Sequence, residues 1–453
     1  MKKRSPSAGL AAFALALAFI AALLPAADAN FVLKADWKGP CRARPIVDVN
    51  LGNTTASFIK ACYCQIQGRR PTDSELHAWF ARLKAEPNWR RVDVVRTIAR
   101  RLGKSVALSY SDPWANNPDL PPAGPKSNNR DIGANIVSFF NCPRGVNCGM
   151  DWADNHVEGM DAASAALAFK GVPGFYCADN PGFWLHELRD ARAAGLDFLV
   201  VDVYGPDIRA GRIRTLVRAL AESPAGVKIA LSDDTWTWGQ PWFGPYWRDK
   251  PSFDEPERSA AKLYASKWKP FFMEVPRRDW YLVQGRPLIF FYNAGTLQPR
   301  NRSSETLEKM KERFKADFGV EPYLVVDQPY FEDPRLRTVA DGRYIWDPLD
   351  HGDSPDHISW SRWGTKTIAH AMVRWDSVGR DKPGQVAGAG DRLLKGPETL
   401  ARVLDETRGA DILVLATWND LGEGTGVNRA YDYWYRGRWL PPDVFIEMLR
   451  RAH

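Results

Sequence analysis

The sequence predicts an α/β protein whose main part is a (β/α)8 barrel, preceded by a small helical bundle. From about residue 133 onward, eight short β-type runs alternate with amphipathic helical stretches. Most of these runs end in Asp, Asn, Tyr or Trp, which is typical of barrels with an active site at the carboxyl ends of the strands. A doubly wound open sheet is the alternative, but the chain has no GxGxxG or P-loop sequence to favour it.

Residues 1–29 have the pattern of a secretory signal peptide. A basic start, Met1–Arg4, precedes the apolar stretch Leu10–Leu24, and Ala27-Asp28-Ala29 fits a cleavage site. The apolar stretch is shorter than the roughly 20 residues of a spanning helix. We therefore expect cleavage after Ala29, a secreted or periplasmic protein, and no stable membrane insertion afterwards; an uncleaved anchor is the alternative.

The composition excludes several classes of partner and protein. With 45% hydrophobic and 25% charged residues, the chain of 453 residues is neither disordered nor a polytopic membrane protein. The net charge is +7, but the basic residues are scattered among acidic ones, so no nucleic-acid partner is expected. Of the 19 Trp, 15 follow residue 150, which places the aromatic bias in the predicted barrel.

Residues 30–54 form an irregular lead-in, and residues 55–104 predict a small helical domain. A capping box at Thr72–Glu75 begins its second helix. The apolar faces of the three helices have helical spacing and contain Phe58, Ile59, Cys62 and Ile66; Leu76, Trp79, Phe80 and Leu83; and Val92, Val94, Val95, Ile98 and Leu102. Residues 105–132 are rich in Pro and predict a linker. The segment from Gly68 to Asp73, with Leu76 and Trp79, resembles a helical domain of unassigned function, the DUF4214 type.

Residues 133–453 are assigned to the barrel. The candidate strands are Ala134–Phe140, Phe198–Val203, Val227–Ser232, Leu288–Tyr292, Tyr323–Asp327, Tyr344–Trp346, His370–Arg374 and Asp411–Thr417. The helical stretches lie near 184–194, 208–222, 255–274, 303–317, 397–408 and 441–451. Eight strands with interposed helices fit one barrel better than two domains.

The six cysteines of the mature chain indicate disulfides, because their number is even and the protein is predicted to be exported. They are Cys41, Cys62, Cys64, Cys142, Cys148 and Cys177. The pairing stays open, with Cys142 and Cys148 as the easiest local pair. A zinc site is the alternative, but the spacings lack the usual C-x2-C pairs.

Polar and aromatic side chains at the strand ends predict a carbohydrate-binding cleft. Sugars offer hydroxyl groups to carboxylates and amides, and C–H faces to Trp and Tyr rings. Taken singly, each Asp could cap a helix and each Trp could pack in the core, but their coincidence favours a site. The expected substrate-binding residues are Asp202, Tyr204, Asp234, Trp236, Tyr292, Asn293, Asp327, Trp346, Asp347, Trp375, Asp376, Arg380, Trp418 and Asn419.

No cofactor or metal is expected. The chain contains neither a G-x-S-x-G nucleophile elbow nor an H-E-x-x-H zinc motif. One stretch could ligate a divalent cation, although an exposed acidic loop is favoured there. It contains Asp347, Asp350, His351, Asp353, Asp356 and His357.

The most specific stretch is Trp418–Thr425, with the sequence WNDLGEGT. It resembles the W/F-N-E-x-x-E-G-T signature of glycoside hydrolases like family 99, the endo-α-mannosidase relatives. Ala191–Gly205 is similar to a strand of that group, and Trp375–Arg380 is similar to the W-D-x-x-x-R element of a polysaccharide-associated branch. The resemblance covers roughly residues 133–450 and implies the same barrel.

The resemblance implies that Asp420 and Glu423 are the catalytic pair. Asp420 stands where the family has a Glu that acts as a base on the substrate's own 2-hydroxyl, which attacks the anomeric carbon to give a 1,2-anhydro sugar. Glu423 stands where the family has the general acid, which protonates the leaving oxygen and later activates water. Asp420 is shorter than Glu and Leu421-Gly422 replaces Trp-His, so direct action of Asp420 on a water is an alternative.

Three functions are compatible with these residues. The first is an endo-acting glycoside hydrolase that cleaves a microbial polysaccharide, with a polysaccharide or oligosaccharide as its partner. The second is a non-catalytic carbohydrate-binding or polysaccharide-assembly protein on the same barrel, which the Asp420 replacement favours. The third is an enzyme of another class, such as a lyase, deacetylase or phosphodiesterase, which a metal near Asp347–His357 would favour.

Overall fold

The computed structural model describes most of the barrel and the helical segment that precedes it. The described residues are 41–48, 55–85, 91–109, 120–138, 178, 181–204, 210–222, 226–235, 255–292, 302–327, 334–345, 358–373, 397–419, 425–429, 433–435, 438–440 and 443–453. The predicted signal peptide and most of the lead-in lie outside these ranges.

Three helices and two short strands form the N-terminal part of the described chain. They are β1 (Ile46–Asp48), α1 (Thr55–Gln67), α2 (Asp73–Ala85), α3 (Arg91–Arg101) and β2 (Ala107–Ser109). The helices share one hydrophobic cluster, and β1 pairs with β2 in parallel. The predicted capping box is confirmed, because the Thr72 N–H donates to Glu75 Oε2 (2.7 Å) and the Glu75 N–H donates to Thr72 Oγ1 (3.2 Å).

One disulfide joins the lead-in to α1. It links Cys41 to Cys64, and Cys62 lies buried two residues earlier on the same helix. Of the expected cysteine pairs, Cys142–Cys148 lies outside the described residues, as does Cys177. A disulfide of this kind is typical of proteins from oxidising compartments.

A large sheet bends into a nearly closed barrel. Its strands are β3 (Asp131–Val137), β4 (Phe198–Tyr204), β5 (Lys228–Asp234), β7 (Arg286–Tyr292), β8 (Tyr323–Asp327), β9 (Gly342–Tyr344), β10 (Ile358–Trp363), β11 (Lys366–Ala371) and β12 (Ile412–Leu415); β6 (Leu282–Val283) pairs with β7 at the margin. The order is β10-β11-β12-β3-β4-β5-β7-β8-β9. The prediction of an α/β barrel-like sheet is therefore confirmed.

One strand departs from the predicted (β/α)8 ring. β10 runs antiparallel to β11, while all other neighbours along the path from β11 to β9 are parallel. The two strands form a hairpin whose turn contains Gly364, with φ of 59°. A left-handed turn residue of this kind suits Gly, which has no Cβ. The sequence prediction missed β10 because its six residues carry Ser and Arg among the aromatic residues.

Side chains bridge the gap between β9 and β10. The Trp363 Nε1–H donates to the carbonyl oxygen of Arg343 (2.9 Å), and Arg343 donates to the carbonyl oxygen of Trp360 (3.3 Å). The Trp363 ring lies directly on Gly342, where an added Cβ would come within 2.2 Å of the ring. Gly342 is therefore required by this close approach.

Helices cover the outside of the sheet. They are α4 (Pro181–Ala194), α5 (Ala210–Glu222), α6 (Pro256–Leu263), α7 (Lys269–Glu274), α8 (Ser303–Phe318), α9 (Pro397–Glu406) and α10 (Val444–Ala452), with a π-helical turn, Tyr264–Trp268, between α6 and α7. A small hairpin of β13 (Tyr433–Tyr435) and β14 (Arg438–Leu440) precedes α10. Among the described helices, none has both the length and the apolar character needed to cross a membrane.

Two hydrophobic cores follow from the alternation of side chains along the strands. The larger core packs the outward face of the strands against the helices. The smaller core fills the barrel with side chains from β4 to β12, among them Phe198, Phe290, Tyr344 and Trp363. The interior is thus a packed core, as in other small barrels.

The contact between Gly342 and Trp363 predicts the effect of a single methyl group. Gly342→Ala should lower the free energy of unfolding by about 1–3 kcal/mol, because the Cβ has to displace the buried indole. Gly409→Ala is the matched control, since nothing lies within 4 Å of a Cβ added there. Urea unfolding measures the free energy of unfolding of both variants, and the m-value should stay unchanged. Equal stabilities of the two variants would contradict the proposed packing of the gap.

Candidate functional site

Three of the expected carboxylates lie on the interior face of the barrel at the carboxyl ends of its strands. Asp202 follows the interior residues Phe198 and Val200 on β4, and Asp327 follows Tyr323 and Val325 on β8. Side chains alternate along a strand, so residues two apart share a face. Asp234 on β5 lies four residues beyond interior Ala230 and is only 6% exposed.

The register places Asp202 two residues below Asp234, because Asp202 is paired with Ser232. Asp234 is paired with Tyr204 on one side and with Tyr292 on the other. Asp327 is paired with Tyr344, the last residue of β9. The backbone register therefore brings Asp and Tyr residues of neighbouring strands next to each other at this end of the sheet.

Tyr344 belongs to the interior core and is paired with Asp327 of the neighbouring strand. Burial raises its pKa well above the ordinary value, and the negative charges of Asp327, Asp234 and Asp202 raise it further. These charges belong to residues on three different strands, β4, β5 and β8. Among the described residues, the buried hydroxyl has no hydrogen-bond partner.

His370 lies next to this group on β11. Its ring centroid is 6.2 Å from that of Tyr344, and its Nε2 lies 3.2 Å from Ser361 Oγ. Burial lowers the pKa of His370 to about 3, and the charge of Arg343 contributes to this shift. His370 is therefore neutral at physiological pH.

A buried ion pair on the outward face fixes the ends of β4 and β5. Lys267 Nζ lies 2.9 Å from Asp233 Oδ1, and both side chains are completely buried. The same ammonium donates to the carbonyl oxygens of Val203 (2.9 Å) and Asp234. Asp233 also accepts from the Trp268 indole N–H at 2.9 Å. Asp233 thus supports the strand ends from outside, while its neighbour Asp234 faces the interior.

The segment after β12 is bound to β3. The Asn419 side chain accepts from the Val137 N–H (2.7 Å) and donates to the Val137 carbonyl oxygen (3.2 Å). The Trp418 N–H donates to the carbonyl oxygen of Asn135 (2.6 Å). Both side chains are completely buried, so these two residues hold the chain at the carboxyl end of β3.

The chain returns to the same place after residue 424. The Thr417 and Thr425 hydroxyl groups lie 2.8 Å apart. The N–H groups of Val427 and Asn428 both donate to the Trp418 carbonyl oxygen, at 2.9 and 2.8 Å. The residues on the two sides of the connection 420–424 are therefore hydrogen-bonded to each other.

Helix α4 binds both ends of this connection through Glu187. This buried carboxylate accepts from the Trp418 indole N–H and from the Asn428 amide (3.3 Å). Carboxylates that accept two hydrogen bonds in a buried position give strong and directional support.

A second contact from α4 holds Arg429. Its guanidinium group makes a bidentate pair with Asp190, at 2.9 and 2.8 Å. It also lies 3.1 Å from His186 Nε2. Burial, together with the charge of Arg429, lowers the pKa of His186 well below the ordinary value. A neutral His186 can accept from Arg429, which keeps the buried guanidinium satisfied on two sides.

The structure brings together only part of the predicted site. The side chains of Asp202, Asp234, Tyr292 and Asp327 lie at the carboxyl end of the barrel, and Tyr204 is described there by its backbone. Trp418 and Asn419 lie in the wall behind. The remaining predicted site residues lie outside the described residues: Trp236, Asn293, Trp346, Asp347, Trp375, Asp376, Arg380, Asp420 and Glu423.

The predicted site residues did not include Tyr344, Glu187 or Arg429. Tyr344 was taken as the first residue of a strand, although it is the last one, so its position at the rim was not recognised. Glu187 and Arg429 contact partners 231 and 239 residues away in sequence. No local sequence pattern indicates contacts between residues so far apart in the sequence.

No group of three or more His, Cys, Asp or Glu side chains with a metal-binding arrangement occurs within the described ranges. The stretch Asp347–His357, which could ligate a cation, lies outside them.

Removal of the Glu187 carboxylate should destabilise the barrel. Glu187→Ala leaves two buried donors without an acceptor, and each such loss costs about 1–3 kcal/mol. Glu187→Gln should cost less, because its amide oxygen can still accept one bond. Chemical unfolding measures the loss, with Glu312→Ala on the exposed side of α8 as the control. A Glu187→Ala variant as stable as that control would contradict the described contacts.

The low pKa of His370 predicts a pH dependence of stability. Between pH 6.5 and 3 the unfolded chain binds a proton at this residue and the folded protein does not, so stability falls as the pH falls. His370→Gln should reduce that slope by about 1.4 kcal/mol per pH unit. His77→Gln, on the exposed face of α2, is the control. Equal slopes for wild type and His370→Gln between pH 4 and 6 would show that His370 is not buried as described.

Comparisons with known proteins give one family and several distant structures. No curated protein matches the chain. The endo-α-mannosidase of family GH99 from Bacteroides thetaiotaomicron, in complex with bis-tris-propane, is 13% identical, with a TM-score of 0.47; the match covers 71% of this chain and 95% of that one. The same enzyme solved separately gives a TM-score of 0.46 at 13% identity, covering 71% of this chain and 96% of that one. A glycoside hydrolase-like protein gives 0.47 at 14% identity, covering 73% of this chain and 96% of that one.

A family model matches residues 144–452, which is more than half of the chain and most of the barrel. The model begins after the N-terminal helices, so the resemblance of Gly68–Trp79 to the DUF4214 type stays a prediction. The chain belongs to the family described as "Domain of unknown function (DUF5010)".

Proposed function

We propose that this protein is an exported glycoside hydrolase that cleaves a polysaccharide at the carboxyl end of its barrel. The observation that carries the proposal is the interior position of Asp202, Asp234 and Asp327 at the carboxyl ends of three strands of the barrel-like sheet. A buried group of carboxylates and phenols suits the hydroxyl groups and C–H faces of a sugar. The pattern of residues 418–425 supports the same chemistry.

Asp420 and Glu423 are the proposed catalytic carboxylates. They lie in the five-residue connection 420–424, whose two ends are joined by the Thr417–Thr425 contact and by the bonds to the Trp418 carbonyl oxygen. Such a short connection reaches no more than about 10 Å from its ends, judged by the length of an extended residue. We therefore propose that both carboxylates act close to the strand end next to β3.

The two carboxylates divide the chemistry of glycoside cleavage. Glu423 is the proposed general acid, which gives its proton to the leaving oxygen and then takes a proton from the attacking water. Asp420 is the proposed base, which takes a proton from the substrate's 2-hydroxyl or directly from a water. A general acid needs a raised pKa, which the apolar surroundings of a barrel provide by desolvation.

Several further residues have proposed supporting roles. Asp234, Asp327 and Tyr292 bind sugar hydroxyl groups or ring faces. Trp418 and Asn419 act as positioning residues, because their side chains are buried and bonded within the protein. The proposed sugar contacts of Tyr204, Trp236, Asn293, Trp346, Asp347, Trp375, Asp376 and Arg380 complete the cleft. Export by the signal peptide is part of the proposal and agrees with the Cys41–Cys64 disulfide.

Product release from a panel of α- and β-linked polysaccharides tests the proposal. Wild type should release oligosaccharides, and Glu423→Gln and Asp420→Asn should each lower the rate by about 10²–10⁴-fold, the usual contribution of an acid or base. Glu312→Gln makes the same chemical change at an exposed position of α8 and should leave the rate unchanged.

Two outcomes would overturn parts of this proposal. Undiminished cleavage by both variants would remove Asp420 and Glu423 from the catalytic roles. Oligosaccharide binding without cleavage by wild type would instead favour a carbohydrate-binding or polysaccharide-assembly protein. Asp327→Asn then locates the bound sugar, because it should weaken binding if the sugar lies at the carboxyl end of the barrel.

A further inference from the structure

A cavity lies at the amino ends of the strands, at the end of the barrel opposite to Asp202, Asp234 and Asp327. It has a volume of about 560 Å³ and lies between α9, α10 and the segment that enters β3. Arg130 directly precedes β3, and Arg408 lies in the turn between α9 and β12, so both are at the amino ends of their strands. Cavities of this size commonly hold small organic molecules.

Arg130 is a buried cation in the wall of this cavity. It is only 5% exposed. One of its terminal nitrogens donates to the carbonyl oxygen of Leu404 (3.2 Å) and to Thr407 Oγ1 (2.9 Å). Within the part of the chain that the structure describes, its Nε has no hydrogen-bond partner and no carboxylate forms an ion pair with it.

A buried guanidinium without a counter-charge is unfavourable, because its desolvation is not offset by an anion. The pKa of Arg130 is lowered by burial and, in addition, by the positive charge of Arg408. Arg451 brings a third guanidinium to the lining, whereas Asp405 is the only carboxylate among the lining residues. Asp405 is mostly exposed and pairs with Arg408 at 2.8 Å. The lining thus contains three guanidinium groups and one carboxylate.

The rest of the lining is mainly apolar. Pro397, Ala401 and Leu404 contribute one face of α9, and Met448 and Ala452 contribute α10. The spacing of the α9 residues is that of one helical face. An occupant that fits this lining has an anionic head for the guanidinium groups and an apolar body for the helices.

We propose that this cavity is a binding site for a small organic anion, a carboxylate or a phosphate monoester that carries a short alkyl chain. Its head compensates Arg130 and lies near Arg408 and Arg451, and its chain packs between Leu404 and Met448. The site is separate from the carboxyl end of the barrel and does not depend on the hydrolase proposal.

Calorimetric titration of the full-length protein tests this site with defined probes. Sodium octanoate and octyl phosphate should each bind with one molecule per chain. The neutral analogue 1-octanol should bind at least about tenfold weaker, because it offers no charge to the guanidinium groups. Inorganic phosphate has no chain to bury and should also bind more weakly than octyl phosphate. The comparison of octanoate with octyl phosphate identifies the preferred head group.

Three variants locate the site. Ala401→Phe should abolish binding by filling the cavity without changing the charge. Arg408→Gln should weaken binding of both anions about three- to tenfold, and as a mostly exposed residue it can be changed without loss of the fold. Arg402→Gln removes the same charge from the neighbouring helix α9, outside the lining, and should leave binding unchanged. Circular dichroism confirms that each variant is folded.

Two results would overturn the proposal. The first is the failure of both octyl anions to bind wild type at millimolar concentration. The second is binding that survives Ala401→Phe, or octanol binding as strong as that of octanoate, since either would exclude this charged cavity as the site.

Discussion

The pairing of β12 with β3 is the interaction on which the rest of the structure depends. It joins residues 412–415 to residues 131–134, which lie almost 300 positions earlier in the chain. The Asn419 side chain extends this pairing beyond the strand by bonding to both backbone groups of Val137. This closure brings the carboxyl ends of strands from distant parts of the sequence to one place.

Closure of the ring also creates the electrostatic conditions of the site. Interior residues alternate along each strand, so the ends of β4, β5 and β8 present Asp202, Asp234 and Asp327 to the same small space. Desolvation and mutual repulsion make such a group costly. The hydrogen bonds and ion pair behind it, at Lys267–Asp233 and at Glu187, lie outside the barrel and hold the strand ends in position. These contacts position the strand ends that carry the interior carboxylates.

Much of the strand pattern could be predicted from the sequence, because short β-type runs followed by polar residues are local signals. Tyr323–Asp327 was predicted with its correct bounds, and the other seven strands were found with shifts of a few residues. β10 was missed, because a strand next to a tight Gly364 turn resembles a loop when its polar residues are frequent. The single antiparallel strand in the ring could not be deduced from alternation of strands and helices.

The site was predictable only where it depends on strand ends. The strand-end positions of Asp202, Asp234, Tyr292 and Asp327 were predictable from the strand pattern. Their role in binding, which rests on the rule that barrels bind ligands at their carboxyl ends, stays a prediction. Tyr344 was missed by an error of two residues in one strand. Glu187, Asp190 and Arg429 join α4 to the chain after β12, and such long-range contacts depend on tertiary packing alone. The same holds for Arg130, which in sequence is only a basic residue near a linker.

The most direct test of the proposed site is a crystal structure of the Glu423→Gln protein with the oligosaccharide that wild type releases. We expect the sugar at the carboxyl end of the barrel, within hydrogen-bond distance of Asp234 or Asp327 and close to residues 420–424. A sugar bound elsewhere, on the helical layer or in the cavity beside Arg130, would contradict it.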